Sequence, residues 1–366
     1  MYVNSNMMHY PFSELKVVEL ASVLAGPAVG MFFAELGAQV VKIENSKTGG
    51  DMTRSWKTPS ESQESTTSAY FFSVNWHKKH VYLDLTASED QATAHALIQD
   101  ADIVISNFKP SSALKMRVDA TTLQNLNPRL IFAQLNAFAD PEDETPAFDM
   151  VLQAEAGFLH INGEPNRPPV KMPVALIDLL AGHQLKEAIL IALLHRERSG
   201  KGYIVSTSLM ESALASLVNQ ASNYLNTGYI PRPMGTQHPN IAPYGDVFTC
   251  ADGQPVVLAV GTQRQFIRLC EALNMPEMIE LPEYKTNSDR VKNRGALIAN
   301  LSKSIATFDA ASLMEKLKSA GVPAGRIRNM EEVMQLPAAQ AMVLEEEMND
   351  GKTSKRLMTN AFKIDV

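Results

Sequence analysis

An α/β fold with a doubly wound, mostly parallel sheet and a second, smaller α+β domain is predicted by three features of the sequence. Strand-like and helix-like segments alternate from Lys16 to Ser208. The first of these segments read strand, glycine-rich turn, helix, strand, a unit that joins parallel strands. A proline-rich stretch, Tyr229 to Pro243, then separates this region from a hairpin followed by a helix. The 366 residues suit two domains or one large domain with an insertion, and 45% hydrophobic with 20% charged residues is an ordinary globular composition.

Taken in order, Lys16–Leu20 reads as a strand and Ala25–Gly30 as a turn. Met31–Leu36 is helical, Gly37 caps that helix, and Gln39–Ile43 is a second strand ending at Glu44. Gly50 to Tyr70, which contains Thr53-Arg-Ser-Trp56, is polar and rich in Ser and Thr. It reads as a long surface loop, a kind of segment that often carries function. His80–Leu85 is a strand, Ser88–Gln99 a helix, and Ala101–Ser106 and Arg129–Leu135 two further strands. Thr86 with Glu89 has the spacing of a capping box for the Ser88 helix.

The segment Gly182–Arg198 repeats apolar residues at helical spacing (Leu185, Ala188, Ile189, Ala192, Leu193) and ends in Ser199-Gly-Lys-Gly202. A strand, Tyr203–Ser208, and a helix, Met210–Asn226, follow. Beyond the proline-rich boundary, Asp246–Cys250 and Pro255–Val260 form a hairpin, with helices over Arg264–Leu273 and Ala310–Ala320. The domain limits expected are 1–209 for the first part of the large domain, 210–229 for a linker helix, 230–287 for the small domain, 288–303 for a second linker, and 304–366 for a return to the large domain.

Thirty-three Lys and Arg against forty Asp and Glu leave a net charge of −7, which argues against nucleic acid or an anionic membrane as partner. Any anionic ligand must therefore be held by local lysines. Two cysteines, Cys250 and Cys270, without a CxxC pair fit a reducing compartment, so the expected location is cytoplasmic. Residues Met1 to Tyr10 lack the regions of a signal peptide and read as a short mobile leader. The longest apolar run, Ala188–Leu194, is far short of the ~20 residues that span a bilayer.

Several chemistries find no footing. The eight histidines form neither HExxH nor HxH and no cysteine joins them at ligand spacing, so no metal is expected. GxSxG and GxxxxGK[ST] are absent. Gly26-Pro-Ala-Val-Gly30, with Glu44 eighteen residues after Gly26, approaches a dinucleotide-binding fingerprint. Pro27, however, removes a donor from the turn that would hold a pyrophosphate. The plainer reading is a tight turn and a surface acid.

Asp178 is different. It lies in the apolar run Val174 to Gly182, where an unpaired buried carboxylate is costly. The local sequence leaves two roles open for it: capping the following helix, or serving as a carboxylate nucleophile near a helix N-terminus.

Leu24-Ala-Gly-Pro27, Gly37 to Glu44, Gly50-Asp-Met-Thr-Arg54, Asn107-Phe-Lys-Pro110, Leu126-Asn-Pro-Arg-Leu130, Ile177-Asp178 and Ser199-Gly-Lys-Gly202, in this order, resemble the class III CoA-transferase family. That family includes formyl-CoA transferases, carnitine CoA-transferases and α-methylacyl-CoA racemases. The resemblance implies a Rossmann-like large domain that binds CoA, an interlocked homodimer, and acyl-CoA and carboxylic acid substrates. The CoA thioester enters as a substrate, and no cofactor is implied. Asp178 matches the family nucleophile, which forms covalent aspartyl intermediates. Val23, Lys78, Asn107, Phe108, Lys115 and Met116 match positions lining the CoA channel, and Lys47 adds charge nearby. Leu24 and Gly235-Thr-Gln-His-Pro239 replace a glutamine and a glycine-rich loop of the formyl-CoA transferases, which speaks against oxalate.

The alternatives are an acyl-CoA racemase of the same fold, an NAD-dependent oxidoreductase, and a non-enzymatic α/β protein. The racemases place a histidine before the aspartate that matches Asp149. Here that position is Phe148, which cannot pass a proton.

Overall fold

The computed structural model describes residues 10–140, 142–347 and 353–364. Most of the expected leader, residues 1–9, lies outside them. By internal contacts the chain divides in two. The described parts of Met1–Phe158, Lys171–Ile230 and Pro337–Val366 form one compact unit, and Leu159–Val170 with Pro231–Leu336 form the other.

The first unit is built on six parallel strands: β1 (Lys16–Leu20), β2 (Gln39–Asn45), β3 (Lys78–Leu83), β4 (Ile103–Ser106), β5 (Ile131–Asn136) and β6 (Tyr203–Ser208), in the order β3-β2-β1-β4-β5-β6. Both faces bury apolar residues, as a parallel sheet covered by helices requires. Val17, Ile103, Ile105, Ile131 and Ala133 pack with helices α1 (Ala25–Glu35) and α8 (Leu176–Ser199). Val18, Leu20, Val104 and Phe132 pack on the other side with α3 (Ser88–Gln99) and α5 (Ala120–Leu126). This is the α/β sheet expected from the alternation. The order reverses between β1 and β4, and in such sheets the crevice at the carboxyl ends of those two strands is where ligands bind.

Shorter helices complete this unit: α2 (Ala69–Phe72), α4 (Pro110–Lys115), α6 (Asp149–Glu155), α9 (Leu209–Ala215) and α10 (Val218–Thr227); of the single turn α7 (Phe158–Ile161), all but Phe158 belongs to the second unit. A hairpin of β10 (Val343–Glu347) and β11 (Thr353–Leu357) returns the chain to the first unit, where Arg356 donates to the Phe72 carbonyl and Thr359 and Asn360 donate to Glu35. The second unit is an antiparallel sheet of β7 (Tyr244–Thr249), β8 (Pro255–Ala259) and β9 (Ala324–Arg326) packed with α11 (Gln263–Ala272), α13 (Arg294–Ile305) and α14 (Ala310–Ser319).

Four expectations are corrected. Ala25–Gly30 is the first half of α1 rather than a turn, because the glycines admit close neighbours: a Cβ on Gly30 would lie 1.9 Å from the Glu19 carboxylate. Thr86 does not cap α3; it bonds Asp84, and the N-cap is Ala87. The segment 288–303 is no linker, since α13 sends Leu297, Leu301 and Ile305 into the second core, which continues to Leu336. Residues 210–229 form two helices, and Leu209 and Ala213 of α9 belong to the first core.

Candidate active site

Asp178 is the third residue of α8, inside the helix rather than before it. The helix starts earlier than its sequence suggests because Ile177, Ala181, Leu185 and Ile189 form one fully buried stripe. Gly182 completes that stripe: a Cβ there would stand 3.3 Å from the Ala25 carbonyl, so the glycine lets α8 lie against the start of α1. This close approach sets the first turn of α8, with Asp178, against the start of α1.

Capping, the simpler role for Asp178, is taken by another residue. Asp149 at the start of α6 accepts through Oδ1 the N–H of Ile177 at 2.7 Å and that of Asp178 at 3.4 Å. Gln153 donates to the other Asp149 oxygen at 2.6 Å and accepts the Met172 N–H, which ties the approach to α8 to α6. Asp178 itself is buried, and burial, together with the charge of Asp149, pushes its carboxyl up to about 7. A carboxyl so tuned is poised at neutral pH, and perturbed acids of this kind concentrate at functional sites.

Tyr70 in α2 shares this field. Burial, then the negative charges of Asp178, Asp149 and Asp51, push its hydroxyl to about 12, so it stays a proton donor. Trp56 meets its ring edge-on at 5.1 Å. In the sequence both aromatics belong to the polar Gly50–Tyr70 loop, and that polarity is the signal that points to them.

The loop from Gly50 to Tyr70 is anchored from within. Asp51 caps the turn Met52–Ser55, accepts the Val23 N–H at 3.1 Å and pairs with Lys42 at 3.1 Å. Ser68 donates to the Thr53 carbonyl at 2.6 Å and caps α2. Glu44 receives Arg54 through two hydrogen bonds, His80 at 2.8 Å and the Asp51 N–H at 2.7 Å. Burial alone would raise the Glu44 carboxyl, but these donors hold it well below the usual range. A carboxylate so occupied has no oxygen to offer a ribose, which removes the acid the dinucleotide reading needs.

The crevice gathers three of the expected CoA positions. Asn107, after β4, accepts the Ser22 N–H at 3.2 Å and donates to the Ser22 carbonyl at 3.0 Å, joining the loops after β1 and β4. Val23 stands next to this clasp with φ of 75°. Phe108 follows Asn107, its N–H on Ser106 Oγ and its carbonyl receiving Gln134. Lys115, exposed, closes α4, and Met116 is its half-buried C-cap. Lys47, largely exposed after β2, pairs with Asp84 at 2.7 Å.

Lys78 requires a correction as a phosphate anchor. Its ammonium is enclosed and donates to Glu19 at 2.7 Å, the Pro27 carbonyl at 2.8 Å and Asn75 at 3.1 Å, which uses its three N–H bonds. Burial lowers it to about 8 against the pull of Glu19. With Lys42 on the other Glu19 oxygen at 2.8 Å, it belongs to a buried ion cluster beneath the crevice. Among the described residues no group of His, Cys, Asp and Glu could hold a metal, and no helix is long and apolar enough to cross a membrane.

The chain resembles known proteins over nearly its whole length. A succinate–glutarate CoA-transferase of Agrobacterium fabrum is 37% identical over 336 residues, 90% of this chain and 83% of that one. An acetyl-CoA:oxalate CoA-transferase of Acetobacter aceti is 34% identical over 90% of this chain and 84% of its own length. A CAIB/BAIF family protein from Brucella suis has a similar crystal structure, with a TM-score of 0.83 and 35% identity over 97% of this chain and 92% of that one. The family model described as CoA-transferase family III matches residues 12–365. The chain belongs to that family and is a transferase.

Proposed function

We propose that the protein moves CoA from an acyl-CoA donor to a carboxylic acid acceptor through covalent aspartyl intermediates at Asp178. One observation carries this reading: a buried carboxyl, tuned to about 7, is held at the first turn of α8 while Asp149 performs the capping. The Asp178 carboxylate attacks the donor thioester carbonyl, the C–S bond breaks, and a mixed anhydride and CoA thiolate result. The thiolate attacks the aspartyl carbonyl and expels the donor acid, leaving an aspartyl-CoA thioester. The acceptor carboxylate then attacks that thioester, forming a second anhydride and freeing the thiolate, which takes the acceptor acyl group and restores Asp178.

Val23, Asn107, Phe108, Lys115 and Met116 line the CoA path in this reading, with Lys47 adding charge. The acids named for the relatives are succinate, glutarate, mesaconate and oxalate, and we take a short dicarboxylate as the acceptor class here. Two copies form the working unit: α10 has no buried residue and leaves Val218, Tyr224 and Leu225 outward, a face that suits a partner copy. The buried thiols Cys250 and Cys270 suit a reducing, cytoplasmic setting.

Trapping tests the covalent step. Wild-type protein incubated with succinyl-CoA and then hydroxylamine should carry the modification on the peptide containing Asp178. An untouched peptide during turnover overturns the assignment.

A further inference from the structure

Arg117 is one of few non-glycine residues with positive φ, at 56°, a conformation that any Cβ makes unfavourable. It closes α4: its N–H donates to Leu114 and the next N–H, of Val118, donates to Ala113. Val118 is fully buried and Asp119 immediately caps α5, so the chain on the far side of the turn is fixed. On the near side stand Met116 and Lys115. The carbonyl of Arg117 accepts a hydrogen bond from His95 Nε2 at 2.8 Å. His95 sits on α3 between Ala94 and Ile98, both fully buried in the core beneath the sheet, so its backbone does not move independently. Because the partner is a carbonyl, Nε2 must carry the proton, and it does so in the neutral tautomer as well as in the cation.

We infer that His95 is a positioning residue for CoA: it tethers the left-handed Arg117 turn and thereby sets the direction of Lys115 and Met116. The inference rests on the reading of those two residues as part of the CoA path. Without the tether, Arg117 relaxes toward negative φ, the last turn of α4 rotates, and the lysine and methionine no longer meet the ligand together.

The test measures binding of free CoA to the full-length protein by calorimetry. His95→Ala should weaken CoA about 5-fold, the worth of one hydrogen bond. His95→Gln, whose amide N–H can reach the same carbonyl, should stay within about twofold of wild type. In an Arg117→Gly background, where glycine adopts positive φ freely, His95→Ala should change affinity less than about twofold. Unchanged affinity in His95→Ala overturns the inference when Lys115→Ala does weaken CoA. A loss in His95→Ala that neither glutamine nor the glycine background relieves overturns it too, as a general effect of the substitution. If Lys115→Ala and Met116→Ala both leave CoA binding intact, the path itself is misread and the role of His95 falls with it.

Discussion

Asp149 caps the helix that carries Asp178, its Oδ1 accepting the N–H of Asp178 itself at 3.4 Å and that of Ile177 at 2.7 Å. Two carboxylates that a sequence would treat as interchangeable thus have separate tasks. One satisfies the helix end, and its charge helps keep the other protonated up to about neutral pH.

Replacing Asp178 with Asn should abolish transfer, with a fall of at least about a thousandfold, because an amide is no nucleophile toward a thioester. The fold should persist, with an unchanged circular dichroism spectrum. The sign of the stability effect depends on pH. The folded Asp178 carboxyl sits near 7 and the unfolded one near 4, so the wild type binds the extra proton when folded and loses that stability as pH rises from about 4 to about 7. The Asn variant has no such loss. Its Tm relative to wild type should therefore climb between pH 5 and pH 8, and a difference that stays flat contradicts the raised carboxyl.

Asp149→Asn keeps an oxygen for the Ile177 N–H and removes a negative charge. If Asp178 is the nucleophile, as proposed, the acid limb of the pH profile for kcat/KM reports it in the free enzyme and should move to lower pH by about one unit. A limb that stays in place assigns the elevation to burial alone.

Lys78→Met leaves Glu19 with one cation fewer in a fully buried cluster, and such loss of a partner costs about 3–5 kcal/mol. Thermal unfolding should drop steeply. Lys115→Ala should instead raise the KM for acyl-CoA several-fold with little change in Tm, since that lysine is exposed. The reverse pattern would return Lys78 to the ligand.

Gly30→Ala puts a methyl 1.9 Å from the Glu19 oxygen that accepts from Lys78, in the carboxylate whose other oxygen holds Lys42. We expect destabilisation of at least about 3 kcal/mol, comparable to breaking a buried ion pair, read by urea unfolding.

Light scattering at micromolar concentration should report twice the 40.2 kDa chain mass. A monomeric mass contradicts the paired arrangement.

The α/β class and several of its segments were legible in the sequence. Lys16–Leu20, Ser88–Gln99 and Tyr203–Ser208 hold the limits their local patterns gave, because strand alternation and helical spacing are short-range properties. The sequence also singled out Asp178, an acid stranded in an apolar run, and Asn107, which the resemblance marked. Only the packing of distant segments sets which partners such buried groups meet. The cap for α8 comes from Asp149, 29 residues before Asp178; the partner of Lys78 is Glu19, 59 residues away; and the loops bearing Val23 and Asn107 meet because β1 and β4 pair across the reversal in strand order. The same long-range contacts overrode local signals where the two conflicted. Gly26 and Gly30 read as a turn by propensity yet lie in a helix, because the space their missing side chains leave is filled by Glu19 of β1 and by Ala21 just after it. Local pattern fixes which segments form, but a buried charge takes its role from whatever partner the packing brings to it, and no spacing along the chain encodes that partner.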